Sequence, residues 1–206
     1  MEYKIGISMR VTNAMNYDEP RDTIARDWSN YMMLAFPESK WLFIPNIGTN
    51  AIEFIQKWDI NVLVLSGGDN IGRFPERDET EFELLKYALK NSIRIIAVCR
   101  GLQLVHSFFG GKIIEGDSSF IINHRANEHF ISLNNKTYNV NSYHNNRIVE
   151  STLHKEFEVI GHCISDNSVE CIKSDQILGM MWHPERDKNY PKWNQNLIVK
   201  FLKNEL

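Results

Sequence analysis

One stretch, residues 93–111, constrains the fold more than any other. Its first half, 93–98, is a β-branched apolar run, the pattern of a strand buried on both faces of a parallel sheet. Its second half places Leu102, Leu104, Val105, Phe108 and Phe109 at the spacing of a buried helix face and stops at Gly110-Gly111. Cys99 sits where the period changes, with Gly101 two residues on. A strand running straight into a helix leaves a sharp turn, and glycine just beyond it lets the backbones approach. A thiol on such a turn projects into the crevice at the sheet edge, where the helix dipole favours the thiolate. A lone cysteine is otherwise a small buried hydrophobe; the order strand, Cys, Gly, helix makes Cys99 a candidate nucleophile.

The segments before it alternate. Strands are expected over 3–8, 41–44 and 61–65, and helices over 22–36 (capped by Asp22), 49–58 and 79–91, the last burying Phe82, Leu85 and Leu89. Alternation of this kind requires a parallel sheet with right-handed crossovers. The polar segment 9–20 should leave the first strand at the sheet's carboxyl edge, where open α/β sheets place their sites. After Gly111 the texture changes to short strand-like pieces at 112–114, 130–133, 137–140, 157–164, 169–174 and 177–182. Turn clusters at 134–135 and 165–168 suggest hairpins and an antiparallel extension. A last helix over 193–206 would bury Leu197, Ile198, Phe201 and Leu202. The expected fold is α/β: an open, mostly parallel sheet flanked by helices, flavodoxin-like, with an antiparallel C-terminal extension, as a single domain over 1–206.

Composition matters mainly for what it excludes. A formal net charge of −3 argues against a nucleic-acid binder held by phosphate neutralisation. Three scattered cysteines make neither a disulfide framework nor a CxxC metal knuckle. No apolar run approaches the roughly 20 residues of a membrane span, and the first residues lack a signal peptide's layout. The reading is a cytoplasmic protein with no nucleic-acid or membrane partner.

A thiol nucleophile needs a base. Of seven histidines the best placed is His183, which ends an apolar strand and is followed by Pro184 and Glu185. Imidazole oriented by a carboxylate is triad logic applied to a thiol. His106 reads as helix packing, and His154 and His162 as surface or strand residues. His124 and His129 read as residues of a polar loop region that could at most edge the site. Donors for an oxyanion are expected from the amide of Arg100 and from an amide in Gly67-Gly68 at the neighbouring strand end. Asn141, Ser142, Tyr143, His144, Asn145 and Asn146 form a polar cluster suited to an amino-acid head group.

The run 97–103 around Cys99 resembles the nucleophile motif of the class I (triad) glutamine amidotransferases, and His183-Pro184-Glu185 resembles their His-Pro-Glu element. Within that superfamily the chain is similar to the γ-glutamyl-hydrolase-like branch, which includes the γ-glutamyl-γ-aminobutyrate hydrolases and, in a narrower likeness, the γ-glutamyl-CDP-amidate hydrolases of capsule phosphoramidate biosynthesis. Residues 66–69, Arg77-Asp78 with Glu81, 110–112, 141–144 and 9–11 carry the likeness over nearly the whole chain. The resemblance implies that Cys99 attacks a γ-glutamyl carbonyl, that His183 moves the proton and Glu185 orients it, and that the amides of Gly68 and Arg100 hold the oxyanion. It also implies that Gly67, Gln103, Asn141, Ser142, Tyr143 and His144 surround the glutamyl group. Arg10 and Arg73 would flank an opening suited to an anionic leaving group. Ala97 departs from the glycine often found in the motif, and Asn145-Asn146 from the His or Gln after the Asn-Ser-x-His element. No cofactor or metal is called for. A self-sufficient hydrolase acting on a small-molecule γ-glutamyl substrate needs no synthetase partner; the alternative, a glutaminase subunit passing ammonia on, needs one as a separate protein. A non-enzymatic binding module is disfavoured because all three triad positions are filled.

Overall fold

The computed structural model describes residues 2–206. Along the chain run β1 (Lys4–Ser8), β2 (Arg10–Asn13), β3 (Pro20–Thr23), α1 (Arg26–Ala35), β4 (Lys40–Ile44), α2 (Asn50–Lys57), β5 (Val62–Leu65), α3 (Pro75–Lys90), β6 (Arg94–Val98) and α4 (Arg100–Phe108). There follow β7 (Ile113–Glu115), α5 (Ser118–His124), β8 (Arg125–Leu133), β9 (Lys136–Tyr143), β10 (Asn146–Ile148), β11 (Glu158–Cys163), β12 (Val169–Lys173), β13 (Ile177–Met180) and α6 (Lys192–Leu202). Nine strands form one sheet in the order β4-β1-β5-β6-β13-β12-β11-β8-β9. The first five are mutually parallel, and from β13 outward every pairing is antiparallel.

Two apolar layers sandwich the parallel half, because successive side chains on a strand point to opposite faces. Ile5, Ile7, Val62, Val64, Ile96 and Val98 meet Trp28 and Met32 of α1 and Leu197, Ile198 and Phe201 of α6. Ile44, Leu63, Leu65, Ile95 and Ala97 meet Ala51 and Ile55 of α2, Leu84, Leu85 and Ala88 of α3, and Leu102 and Val105 of α4. The strands are therefore apolar on both faces, which is the continuous pattern read from their sequence. The hairpin β8–β9 turns through Asn134 and Asn135, both at positive φ, as a tight two-residue turn requires. Among the described residues no helix is long and apolar enough to cross a membrane.

Several expectations need correction. Asp22 does not cap α1: it lies in β3 opposite Val11, and its carboxylate accepts from the amide of Asn46 at 2.8 Å and from Asn46 Nδ2 at 2.6 Å. The polar segment 9–20, which leaves β1 at its carboxyl end, forms most of the β2–β3 hairpin. α3 starts a turn earlier than expected, with Pro75 in its first turn, where a missing N–H costs nothing. Its buried face is Arg77, Thr80, Glu81, Leu84, Leu85 and Ala88, leaving Phe82 and Leu89 at the margin. The strand expected at 112–114 leaves the main sheet and pairs with β10. The region of His124 and His129 is not a loop: α5 opens on Asp117, whose carboxylate accepts from the amides of Ser119 and Phe120, and β8 follows at once.

Candidate active site

Four parallel strands end side by side, and the candidate residues hang from their carboxyl ends. Val98 is in register with Met180 of β13, and Ala97 with Leu65 of β5, so Cys99, His183 and Gly67-Gly68 come from adjacent strand ends. The Cys99 amide donates to the Met180 carbonyl at 2.7 Å. Cys99 itself is held at φ +50°, ψ −104°, and α4 begins at the next residue. Such a conformation costs a non-glycine residue about 1–3 kcal/mol and persists only where the surroundings enforce it. Gly101 is part of that enforcement, since a β-carbon there would fall onto the backbone oxygen of Leu65.

His183 is buried just past β13, and its Nδ1 lies 2.7 Å from Glu185 Oε1. The short helical turn Pro184–Arg186, covered by α1, folds Glu185 back under the ring. Gly67 presses on the other side of the imidazole; a β-carbon there would meet Cε1 at once. Asn141 clamps the main chain: its Oδ1 accepts from the His183 amide at 2.9 Å, and its Nδ2 donates to the His183 carbonyl at 2.8 Å and to Asp187 Oδ1 at 2.8 Å.

Charge in this region is unusual. Burial alone would push the Cys99 thiol up, but the facing His183, then His144 and the Arg100 amide, draw it below its ordinary value. For His183 burial opposes the charged ring, yet Glu185 and the Cys99 sulfur outweigh it and raise the imidazole to about 9. Both shifts favour a thiolate–imidazolium pair at neutral pH, titrating as a unit. A thiolate held against an imidazolium is an activated nucleophile with a proton donor at hand.

Beneath the turn lies a buried ionic cluster of Arg77, Asp78, Glu81 and Arg100. Glu81 is fully buried and takes Arg77 at 3.0 Å, Arg100 through its other oxygen, and the Ser8 hydroxyl at 2.6 Å. Burial works against the Glu81 carboxylate, but the two guanidiniums hold it below the usual range. Arg100 also pairs with Asp78, and Arg77 donates to the carbonyls of Ser66 at 2.9 Å and Gly67 at 3.2 Å. The cluster ties the 66–68 turn to the start of α4, the two segments that would supply oxyanion donors. Removing one partner of such a cluster is destabilising because it strands a buried charge.

Over Cys99 opens a cavity of about 530 Å³, lined by Gly68, Arg100 and Gln103 together with Tyr143, His144, Asn145 and Asn146. Arg73, paired with Asp69 at 3.5 Å, and Arg125 are exposed residues of the lining, with Asn70 beside them. The remaining expected residues take other places. Gly67 packs on His183 rather than lining the cavity. Ser142 is buried, its hydroxyl donating to the His124 carbonyl at 2.6 Å. Asn141 holds His183, as above, and Arg10 lies beside Gly68 outside the lining residues. Tyr143 sets its ring edge-on to His183 at 5.5 Å and carries Arg186 over its face at 4.3 Å. Arg125 was not singled out from the sequence; nothing local distinguishes it from a solvated arginine. A larger cavity of about 700 Å³ lies at the opposite, amino ends of β6 and β13, around Arg94 and Gln176, and holds no nucleophile–base pair.

The family model for glutamine amidotransferase class-I matches residues 42–201. The chain belongs to that family. Amide-bond hydrolysis is accordingly its chemistry at the family level. It is 26% identical over 193 residues to the γ-glutamyl-CDP-amidate hydrolase of Campylobacter jejuni, covering 89% of this chain and 90% of that one. It is 24% identical to a glutamine-hydrolysing GMP synthase of Ehrlichia ruminantium, covering 78% of this chain but 31% of the synthase. Among solved structures, PurLQS from Thermotoga maritima matches with a TM-score of 0.67 at 15% identity over 99% of each chain. A glutamine amidotransferase from the same organism matches at 0.64 and 13% identity, covering 100% of this chain and 86% of that one. These likenesses bear on the fold, and they agree with the α/β architecture described above.

Proposed function

We propose that the chain is a cysteine-dependent γ-glutamyl hydrolase, splitting the γ-amide bond of a small γ-glutamyl conjugate into glutamate and a free amine or amidate. The observation that carries this reading is the strained Cys99 turn facing a His183 already paired with Glu185. In the proposed reaction the Cys99 thiolate adds to the γ-carbonyl, and the amides of Gly68 and Arg100 receive the charge that develops on its oxygen. The His183 imidazolium gives its proton to the departing nitrogen, leaving a γ-glutamyl thioester on Cys99. The neutral imidazole then takes a proton from water, whose oxygen attacks the thioester; the carbon–sulfur bond breaks, glutamate leaves, and the thiolate–imidazolium pair is restored. Glu185 holds the ring in one tautomer throughout. Gln103, in the lining of the cavity, would read the glutamyl head group, while His144, its Nδ1 given to the Asn146 carbonyl and its Nε2 turned to His124 and Glu170, would close the wall beside it.

The leaving group is read from the mouth. Arg73 and Arg125 both border the cavity, and two guanidiniums suit a phosphate or carboxylate. The similarity to a hydrolase of γ-glutamyl-CDP-amidate supports an anionic leaving group, and that nucleotide conjugate is the first substrate to try. A panel of γ-glutamyl amides, run beside free glutamine on the isolated chain, tests the reading. Conjugates with anionic leaving groups should turn over well and glutamine poorly, and Arg125→Ala or Arg73→Ala should erode that preference. Fast glutamine turnover appearing only with an added synthetase, and none on bulky conjugates, would establish the glutaminase-subunit reading instead.

A further inference from the structure

Behind the cavity wall, three elements distant in sequence bring together His124 at the end of α5, His144 just past β9 and Glu170 in β12, all buried. The outer nitrogen of each imidazole is already committed. His124 Nε2 donates to Asp166 Oδ2 at 2.8 Å, and His144 Nδ1 donates to the Asn146 carbonyl at 2.9 Å. In the neutral rings this leaves lone pairs on the inner nitrogens, His124 Nδ1 and His144 Nε2, which face each other at 3.3 Å. Glu170 Oε1 closes the triangle, 3.7 Å from the first and 3.6 Å from the second. Among the described residues no hydrogen bond of ordinary length reaches either oxygen of Glu170.

Two facing lone pairs and a buried carboxylate with no close donor call for a positive charge between them. A proton on either ring would have to reach acceptors at 3.3–3.7 Å, longer than the 2.7–3.2 Å of a good hydrogen bond. A metal ion with bonds of about 2.0–2.1 Å in a tetrahedral arrangement separates its ligands by about 3.3–3.4 Å, within a few tenths of the spacing observed. The hydrogen bonds from the outer nitrogens to a carboxylate and a carbonyl are the support that metal-bound histidines carry. His129 adds a second layer: its Nε2 lies 3.5 Å from Glu170 Oε2, the oxygen the triangle leaves free.

We propose that His124, His144 and Glu170 bind a divalent cation, zinc by its nitrogen and oxygen donors, with water as the fourth ligand. The ion ties α5, the end of β9 and β12 together and holds His144 in the wall facing Cys99. No linear motif announces the site, because its ligands are spread over 47 residues of chain from His124 to Glu170.

The test uses full-length Cys99→Ala protein, which removes the reactive thiolate as a competing ligand. Protein expressed with zinc, dialysed and analysed for metal should carry one ion per chain. Exchange for cobalt should produce the visible spectrum of a tetrahedral nitrogen–oxygen site without a thiolate charge-transfer band. Glu170→Gln should lose the ion while keeping its circular dichroism. Should that variant not fold, the exposed Asp166 gives a milder one: Asp166→Asn should weaken cobalt or zinc binding about 10–100-fold by loosening His124. Metal-free protein that shows no cobalt spectrum overturns the proposal, and so does an ion retained undiminished in both variants. A cobalt–thiolate band would also overturn it, since it would move the donors to Cys163, which clusters with His124 and His129. Metal content is read without any substrate, so this result stands apart from the hydrolase reading.

Discussion

Replacing Glu185 by glutamine removes one negative charge 2.7 Å from His183 Nδ1 and keeps the shape of the site. The imidazole stands at about 9 against an ordinary 6.5 although burial opposes its charged form. That difference corresponds to about 3 kcal/mol in favour of the imidazolium. Glu185 is the first of the groups that raise it, ahead of the Cys99 sulfur. Losing most of that support predicts a fall of about 10–100-fold in kcat/KM at neutral pH. The glutamine amide can also donate to Nδ1 and favour the wrong tautomer, which deepens the loss. The pH profile should change in a defined direction. In the parent the rising limb reports formation of the thiolate, whose value lies below that of a free thiol. The falling limb, near 9, reports loss of the imidazolium proton. In Glu185→Gln the falling limb moves to lower pH because the ring loses its carboxylate. The rising limb moves to higher pH because the thiolate loses its cation, and the bell narrows from both sides. The assay is steady-state kcat/KM on a γ-glutamyl conjugate across the stable pH range. A variant within about threefold of the parent, with an unchanged profile, refutes the reasoning and reduces the site to a Cys99–His183 pair.

Two further predictions concern the turn itself. Cys99→Gly and Cys99→Ala should both be inactive, and the glycine variant should melt at or above the alanine variant despite burying less, because φ +50° strains any residue with a β-carbon. A clearly higher melting temperature for the alanine variant in differential scanning calorimetry would mean that the turn stores no strain. Gly101→Ala drives a methyl into the Leu65 backbone, which cannot yield as a side chain would; a loss of about 1–3 kcal/mol in urea unfolding is expected, and a neutral result would refute the close approach. Gln103→Ala should raise KM more than it lowers kcat, since a head-group contact changes little between ground and transition states; a pure kcat defect would instead put Gln103 in the chemistry.

What was legible in the sequence was what is encoded locally. The change of period at Cys99, the stop at Gly110-Gly111 and the Asn134-Asn135 turn each specify their own backbone, and the structure has the elements there. His183 was legible because an apolar strand ends on it and Pro184 fixes the turn. Pairings made at a distance were not. Nothing in residues 177–180 says that β13 will lie parallel beside β6, although this register is what sets His183 next to Cys99. Asp22 looks like a cap in isolation, and its partner Asn46 is 24 residues away. Asn141 reads as one more polar residue in a cluster until the fold sets it against the His183 main chain. His124 and His129 look like loop residues because α5, capped by Asp117, is only seven residues long, too short to show a helical period. Glu170, alternating within a buried strand, carried no mark of the histidines around it.

The central claim is that Cys99 carries the γ-glutamyl group during turnover. Acid quench of the protein with a slow γ-glutamyl conjugate, followed by mass spectrometry of the peptide containing Cys99, tests it directly. The account predicts a glutamyl adduct on that peptide, labile to hydroxylamine as a thioester is and absent from Cys99→Ala. Turnover with no adduct on Cys99 under conditions that slow hydrolysis, or a Cys99→Ala variant as active as the parent, would contradict it.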